Sequence, residues 1–226
     1  MDKQPNKVTI VIPVYNGVKY LQHTINSILD TTKHPNYKIV IVESESTDGA
    51  HEYVKFLEKT NDKIRVIYTK REGITRAINR GIEFSDKDSD ILLTQNDVIF
   101  PKLMGSDWLI SMCLACADGV GLVTCLNGLG MSGSDYLDKL VFVGTWYMYI
   151  PRKTIELIGL FDESYNPGPG DDIDYSFRVK KAGLRIGIVE FAVDHHRLTE
   201  NYNDNSELCQ RGAEYFRRKY GIPNPK

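Results

Sequence analysis

The stretch "DILLTQNDVIFP" (Asp90–Pro101) decides how the rest of the chain is to be read. Ile91, Leu92 and Leu93 make a short apolar run suited to a strand covered on both faces, and Pro101 forbids its ladder from continuing. Gln95, Asn96 and Asp97 then crowd hydrogen-bonding groups onto the strand's C-terminal end. Such a cluster reads as a turn, because Asn and Asp bond to their own backbone and favour chain reversals, or as a metal or phosphate site.

Upstream, strands and helices alternate. "KVTIVIPVYN" and "YKIVIVES" are β-rich runs, and between them Leu21, Ile25, Ile28 and Leu29 recur at helical spacing, which makes a βαβ unit. Ser46, Thr47 and Asp48 are capping residues for a second helix, "KIRVIYT" supplies a third strand, and "GITRAINRGIEFS" a helix that leads into strand four. The first hundred residues therefore predict a doubly wound α/β sheet, in which ligands gather outside the carboxyl ends of the strands. Asp97 lies at such an end.

Bulk properties narrow the partners. In 226 residues, Lys+Arg 28 against Asp+Glu 30 give a formal net charge of -2, so no global field draws the chain to nucleic acid or an anionic membrane. An anionic ligand must be held locally. Pro13 cuts the N-terminal apolar run, which argues against a signal peptide, and no apolar stretch approaches the roughly 18 residues that a bilayer span requires. The expectation is a soluble, cytoplasmic protein with at most peripheral membrane contact. Cys113 and Cys116 form a Cys-x-x-Cys inside an apolar helix, with no second pair to complete a zinc site, and read as buried thiols.

The second half is more mixed, with strands near "GVGLVTC", "GTWYMYI" and "LRIGIVE" and helices near Pro151–Gly159, Asp172–Ala182 and Ser206–Tyr220. No composition break or internal repeat divides the chain. One domain over residues 1–226 is expected.

Seven blocks in order resemble family 2 glycosyltransferases of the GT-A fold: "VTIVIPVYNG", "IVIVESESTDG", "REGITRAINRGI", "LLTQNDVIFP", "GTWYMYIPRKTIELIGLFDESY", "GDDIDYSFRVKKAGLRI" and "VDHH". That resemblance implies a single Rossmann-like α/β domain with a mainly parallel mixed sheet flanked by helices, with a nucleotide-binding half to about residue 100 and an acceptor-side half after it. It also implies a nucleotide-diphosphate sugar donor, Mn²⁺ or Mg²⁺, and inverting transfer to a hydroxyl of a glycan or glycolipid acceptor, in polysaccharide or glycoconjugate synthesis. The family's DxD-type motif falls on Gln95-Asn96-Asp97, where only the last carboxylate is kept; Asp97 is then a metal ligand and Asn96 a neighbour of the donor. Pro13, Tyr15 and Asn16 match positions that embrace the base. Glu43 matches the acidic residue that accepts from a uracil ring, which favours a UDP-sugar. His195 rather than His196 matches a metal-contacting histidine, and Trp146 and Tyr147 match an acceptor-facing segment, although both are equally readable as core aromatics.

The residues bear this chemistry in their own right. A departing diphosphate gathers negative charge that a cation neutralises, and Arg71, at the mouth of a helix, adds a fork of donors to that helix's dipole. In "NPGPGDDIDYSFR" two prolines and two glycines cannot continue a helix, so they shape a loop in front of Asp171 and Asp172. Adjacent carboxylates repel, so one acquires a raised pKa and becomes a usable general base; the resemblance puts Asp172 there, with Asp171 beside it. The plainer role for these acids is helix capping. Arg217, Arg218 and Lys219 read as a solvated basic face. Two other classes share parts of the pattern. A nucleotide-sugar-binding pseudoenzyme would account for Gln95, and a sugar nucleotidyltransferase would need a Gly-rich phosphate loop after strand one, which "PVYNGVKYL" lacks.

Overall fold

In the computed structural model the described residues are 6–104, 107–132, 137, 139–167, 169–196 and 206–224. The first half runs β1 (Val8–Val14), α1 (Val18–Thr31), β2 (Tyr37–Glu43), α2 (Ala50–Thr60), β3 (Ile64–Tyr68), α3 (Ile74–Phe84), β4 (Asp90–Thr94) and β5 (Val98–Ile99). The second half continues with α4 (Trp108–Leu114), β6 (Val120–Cys125), β7 (Leu129–Met131), β8 (Val141–Val143), β9 (Tyr147–Ile150), α5 (Arg152–Ile158), a 3-10 turn at Glu163–Tyr165, α6 (Asp171–Lys181), β10 (Arg185–Val189), β11 (Asp194–His195) and α7 (Ser206–Tyr220).

Seven strands form one sheet in the order β10-β6-β9-β4-β1-β2-β3. All neighbours are parallel except β9, which runs antiparallel to both β4 and β6. The apolar runs in β1, β4, β6 and β9 follow from burial on both faces. On one face Leu21, Ile25 and Ile28 of α1 pack with Val54 of α2 and Trp108 and Met112 of α4. On the other, Ala77, Ile78 and Ile82 of α3 pack with Ile155 of α5 and Tyr175 and Val179 of α6. A third cluster docks Ala213 and Phe216 of α7 against Ile173 of α6 and Tyr165. Among the described residues no helix is long and apolar enough to cross a membrane.

The site is created where strand order reverses. β1 pairs with β2 along its whole length, but with β4 only as far as Val11↔Leu93. Beyond that register β1 and β4 part, and a crevice opens at their carboxyl ends, as doubly wound sheets require at a switch point. Pro13 stands past the last β4 pairing, where a missing N–H costs least.

Candidate active site in the crevice between β1 and β4

The crevice is a cleft of about 1300 Å³ lined by groups from both halves of the chain, among them Tyr15, Arg71, Asp97, Trp146, Asp172 and His195. Pro13, Gln95 and Asn96 also line it.

Three loops that follow β1, β2 and β4 are wired to one another at its floor. Asn16, in a left-handed conformation with φ 59°, donates its N–H to Ser46 Oγ (2.9 Å), accepts from Thr47 N–H through Oδ1 (2.8 Å), and accepts Asn96 Nδ2 at its carbonyl (2.8 Å). Asp48 takes the Gly17 and Val18 N–H groups at 2.6 and 2.8 Å, so it caps the neighbouring helix α1 as well as its own, where it accepts from Ala50. Asn16 is thus a joint of the loop framework, not a group extended into the cleft.

Glu43 departs from the expectation of a base-reading acceptor. It is 2% exposed, its Oε1 accepts the Ser46 N–H (2.6 Å) and its Oε2 faces His51 Nδ1 (3.0 Å). Burial pushes its carboxyl up, but the bonds from Ser46 and His51 outweigh that and hold it below its ordinary value. Ser44, the next residue, is the one that reaches the cleft wall.

On the rim, the Arg71 guanidinium lies 3.8 Å above the Tyr15 ring centroid and donates to the Tyr15 hydroxyl at 3.0 Å. Arg71 is fixed from behind by its own N–H, which donates to Glu45 Oε2 (3.1 Å).

Deeper in, β11 brings the distant His195 to the end of β4. Asp194 pairs with Ile99 and His195 with Val98, and the His196 N–H donates to the Asp97 carbonyl at 2.9 Å. His195 Nε2 therefore lies 3.4 Å from Asp97 Oδ1, with Asp97 4% exposed. Trp146 stacks on His195, centroids 4.4 Å apart and 17° from parallel, which fixes the ring. His196 instead faces Asp194, at 3.3 Å on the exposed side. Among the described residues no three His, Cys, Asp or Glu side chains gather into a metal site. A carboxylate and an imidazole at one point fit a hard cation whose remaining ligands are substrate phosphates and water, the usual arrangement for nucleotide-bound divalent ions.

Tyr147 corrects a second expectation. It is fully buried beside Phe100, Trp108 and Phe191, so it belongs to the core, while its neighbour Trp146 lines the cleft. Both neighbours of β9 cover it laterally and helices cover its faces, so alternate residues no longer point to different environments.

In the same cleft as Asp97, α6 opens with Asp171 and Asp172. Asp171 is buried: its Oδ2 accepts from the Thr75 hydroxyl (3.0 Å) and its Oδ1 from the Asp172 N–H (3.0 Å). Asp172 lines the cleft, and its Oδ1 accepts the Ile173 N–H at 2.8 Å. Burial, then the charge of Asp171, pushes the Asp172 carboxyl up to about 7, and burial raises Asp171 as well.

Sequence reading passed over the residues that brace this wall. Asn166 Oδ1 accepts the Thr75 N–H (3.1 Å) where Gly73 leaves room, since a Cβ there would sit 2.5 Å from that oxygen. Glu163 accepts from Arg76 Nε (3.1 Å) and Asn79 Nδ2 (3.0 Å). Lys219, expected on a solvated face, instead joins Asp162 and Asp174 at 2.8 and 2.6 Å. The run of prolines, glycines and acids before α6 marked Asp171 and Asp172 in the second half of the cleft, but no local pattern marks Thr75 or Lys219.

The chain that builds this cleft is similar to known proteins in both sequence and fold. Residues 9–103 match the model described as Glycosyl transferase family 2. Over these residues the chain is similar to glycosyl transferase family 2. The chain is 38% identical over 205 residues to an uncharacterized glycosyltransferase of Rickettsia felis, covering 81% of this chain and 32% of that one. It spans 13–35% of the length of the first curated relatives it matches. Its fold is the GT-A fold of solved glycosyltransferases. A mannosyltransferase from Pyrobaculum calidifontis in complex with GDP-Man and Mn²⁺ superposes with TM-score 0.65 at 19% identity, covering 84% of this chain and 57% of that chain. GalNAc-T7 with UDP, GalNAc and Mn²⁺ superposes with TM-score 0.66 at 14% identity, covering 83% and 42%.

Proposed function

We propose that residues 1–226 form one GT-A domain that moves a sugar from a nucleoside-diphosphate donor to a hydroxyl of a glycan or glycolipid acceptor, with inversion. The supporting observation is that Asp97 with His195, and Asp172, line the same cleft, one group for the diphosphate and the other for the incoming hydroxyl.

In this reading the donor's diphosphate lies between Arg71 and the Asp97–His195 pair. Asp97 and His195 would hold Mn²⁺ or Mg²⁺, which would neutralise the charge that the leaving diphosphate acquires. Arg71 adds donors that strengthen with that charge. Tyr15 offers a ring face at the rim and Trp146 an indole toward the acceptor. Asp172 accepts the proton of the acceptor hydroxyl as its oxygen attacks the anomeric carbon opposite the breaking C–O bond. A carboxyl with a pKa near 7 is a stronger base than an ordinary aspartate and is still substantially ionised at neutral pH.

The preference for a UDP-sugar rested on Glu43. With both oxygens of that carboxylate engaged by Ser46 and His51, the donor is proposed as a nucleoside-diphosphate sugar without a base being chosen. A melting screen with UDP-, dTDP- and GDP-sugars, with and without Mn²⁺, followed by proton NMR of the product's anomeric centre, tests the proposal. A metal-dependent rise in melting temperature and a product of inverted configuration are expected. Retention of configuration refutes inversion. Binding without release of nucleoside diphosphate under any metal supports the pseudoenzyme reading, for which Gln95 in place of a carboxylate is the motive.

A further inference from the structure

Asp172 stands on the first turn of α6, and that turn is held on two sides. On the donor side Thr75 bonds Asp171 and Asn166, and Glu163 bonds Arg76 and Asn79 of α3. On the far side stands α7. Lys219 Nζ lies 2.6 Å from Asp174 Oδ1 and 2.8 Å from Asp162 Oδ2, so one ammonium joins two chain segments that both reach the cleft. Asp162 caps the turn Glu163–Tyr165 by accepting the Ser164 N–H (2.9 Å), and Glu163 and Ser164 line the cleft. Asp174 is on the same helical turn as Asp171 and Asp172 and is wholly buried.

We propose that Lys219 is a positioning residue for Asp172, clamping the Asp162–Asn166 turn to the start of α6 so that the carboxylate and the acceptor wall keep one spacing. The catalytic arm of this proposal rests on the transferase reading above; the clamp itself does not.

Three observations carry it. First, the two carboxylates approach a common cation, and without it Asp162 would lose its ion-pair partner while Asp174 kept only Arg178. Second, two tyrosine hydroxyls of α7 converge on the same two acids: Tyr215 donates to Asp162 (2.8 Å) and Tyr220 to Asp174 (2.8 Å), while Tyr165 of the turn itself donates to Asp174 (3.2 Å). Arg178 serves the other Asp174 oxygen from within α6 (2.8 Å), so it cannot replace the link to the turn. Third, the apolar face of α7 is buried in the same place, with the Phe216 ring 5.3 Å from Phe177 and the Tyr215 ring 4.9 Å from Tyr165. Burial alone would lower the Lys219 ammonium, but its bonds to Asp162 and Asp174 outweigh this and raise it, so the link stays charged across the working pH range.

The test uses the 226-residue chain and a nucleotide sugar that it turns over, with water as acceptor and release of nucleoside diphosphate as the signal. Lys219→Met is expected to lower kcat by about 10²-fold with donor KM unchanged, the scale of a small misplacement at a reacting centre. Lys219→Arg is expected to restore most of the rate, since a guanidinium can also reach two carboxylates. Amide hydrogen exchange should quicken in peptides covering 162–167 and 169–176 and stay unchanged in β1, β2 and β3. Asp162→Asn, which weakens one arm only, should show a smaller change of the same kind, and it decides the matter if Lys219→Met does not fold. Unchanged kcat and unchanged exchange in these peptides overturn the proposal, as does a loss confined to donor KM. If the parent turns over no nucleotide sugar, the transferase reading fails. Exchange then decides the clamp alone: localised quickening supports it, and none refutes it.

Discussion

The Asp171 carboxylate accepts the backbone N–H of Asp172 at 3.0 Å, so a bond in the first turn of α6 holds two acidic groups side by side. With Asp172 raised to about 7, first by burial and then by Asp171, the proposed base gains its proton-accepting form only as pH climbs through neutrality. The ratio kcat/KM is therefore expected to rise with pH to a plateau above about 7. Asp172→Asn should remove that limb and lower turnover by about 10²–10⁴-fold while donor binding is kept. Asp171→Asn should move the limb to lower pH, because the like charge is gone. A limb that survives unchanged in Asp172→Asn assigns the titration to another group.

The same raised pKa makes a stability claim of definite sign. The folded chain holds the Asp172 proton up to about pH 7, whereas an unfolded aspartate releases it near its ordinary value of 3.8. Between these values the folded state binds more protons, so this group makes the protein less stable as pH rises, with the full cost present above 7. Asp172→Asn is therefore expected to melt higher than the parent at pH 8 and level with it near pH 4. Melting curves across that range check it, and a variant that melts lower than the parent at pH 8 contradicts it.

Asp97 and His195 are predicted to act together in metal-dependent donor binding. Asp97→Ala should weaken Mn²⁺-dependent nucleotide-sugar binding by more than the roughly 10–100-fold that loss of an outer partner costs at metal sites. His195→Ala should have a smaller effect and should also release Trp146 from its stack, readable as a change in tryptophan emission. Calorimetry that finds equal affinity in Asp97→Ala and the parent disproves the assignment.

Glu43 is predicted to hold the donor-side loops and not to read the base. Its replacement by Gln offers an amide where the pocket supplies donors from Ser46 and His51, at a cost of about 1–3 kcal/mol in unfolding free energy for unmatched buried polar groups. The ranking of UDP- against GDP-sugars should not change. A reversed ranking at unaltered stability would restore Glu43 as a base contact.

What could be read from the chain alone follows from how local each signal is. The sheet, its helices and the positions of Asp97, Arg71 and Asp172 were legible, because strand ends and helix starts carry their marks within a few residues. Tyr147 was not settled, because β9 enters antiparallel between β4 and β6, and nothing within "GTWYMYI" states which strands will flank it. The inward turn of Glu43 was hidden for a related reason. Its place at the end of β2 suits a ligand contact, but His51, eight residues on, pairs with the side chain. Lys219 looked solvated on its own helix, since its partners Asp162 and Asp174 are supplied by segments 57 and 45 residues away.

The late arrival of β9 also bears on how the chain is made. Synthesis completes β4 with β1 on one side and nothing on the other, and its lateral partner, Tyr147–Ile150, is translated only after α4, β6, β7 and β8. Until then the nascent chain presents Ile91, Leu92 and Leu93 as a bare apolar edge, the kind of template on which neighbouring chains pair. A chain ended at Cys125 is expected to pellet on sedimentation under conditions in which the 226-residue chain stays dispersed. A truncated chain that remained monomeric and melted cooperatively would show that the first four strands need no such cover. Otherwise the ribosome must outrun aggregation over that interval, and a chaperone that shields strand edges becomes part of this protein's biogenesis.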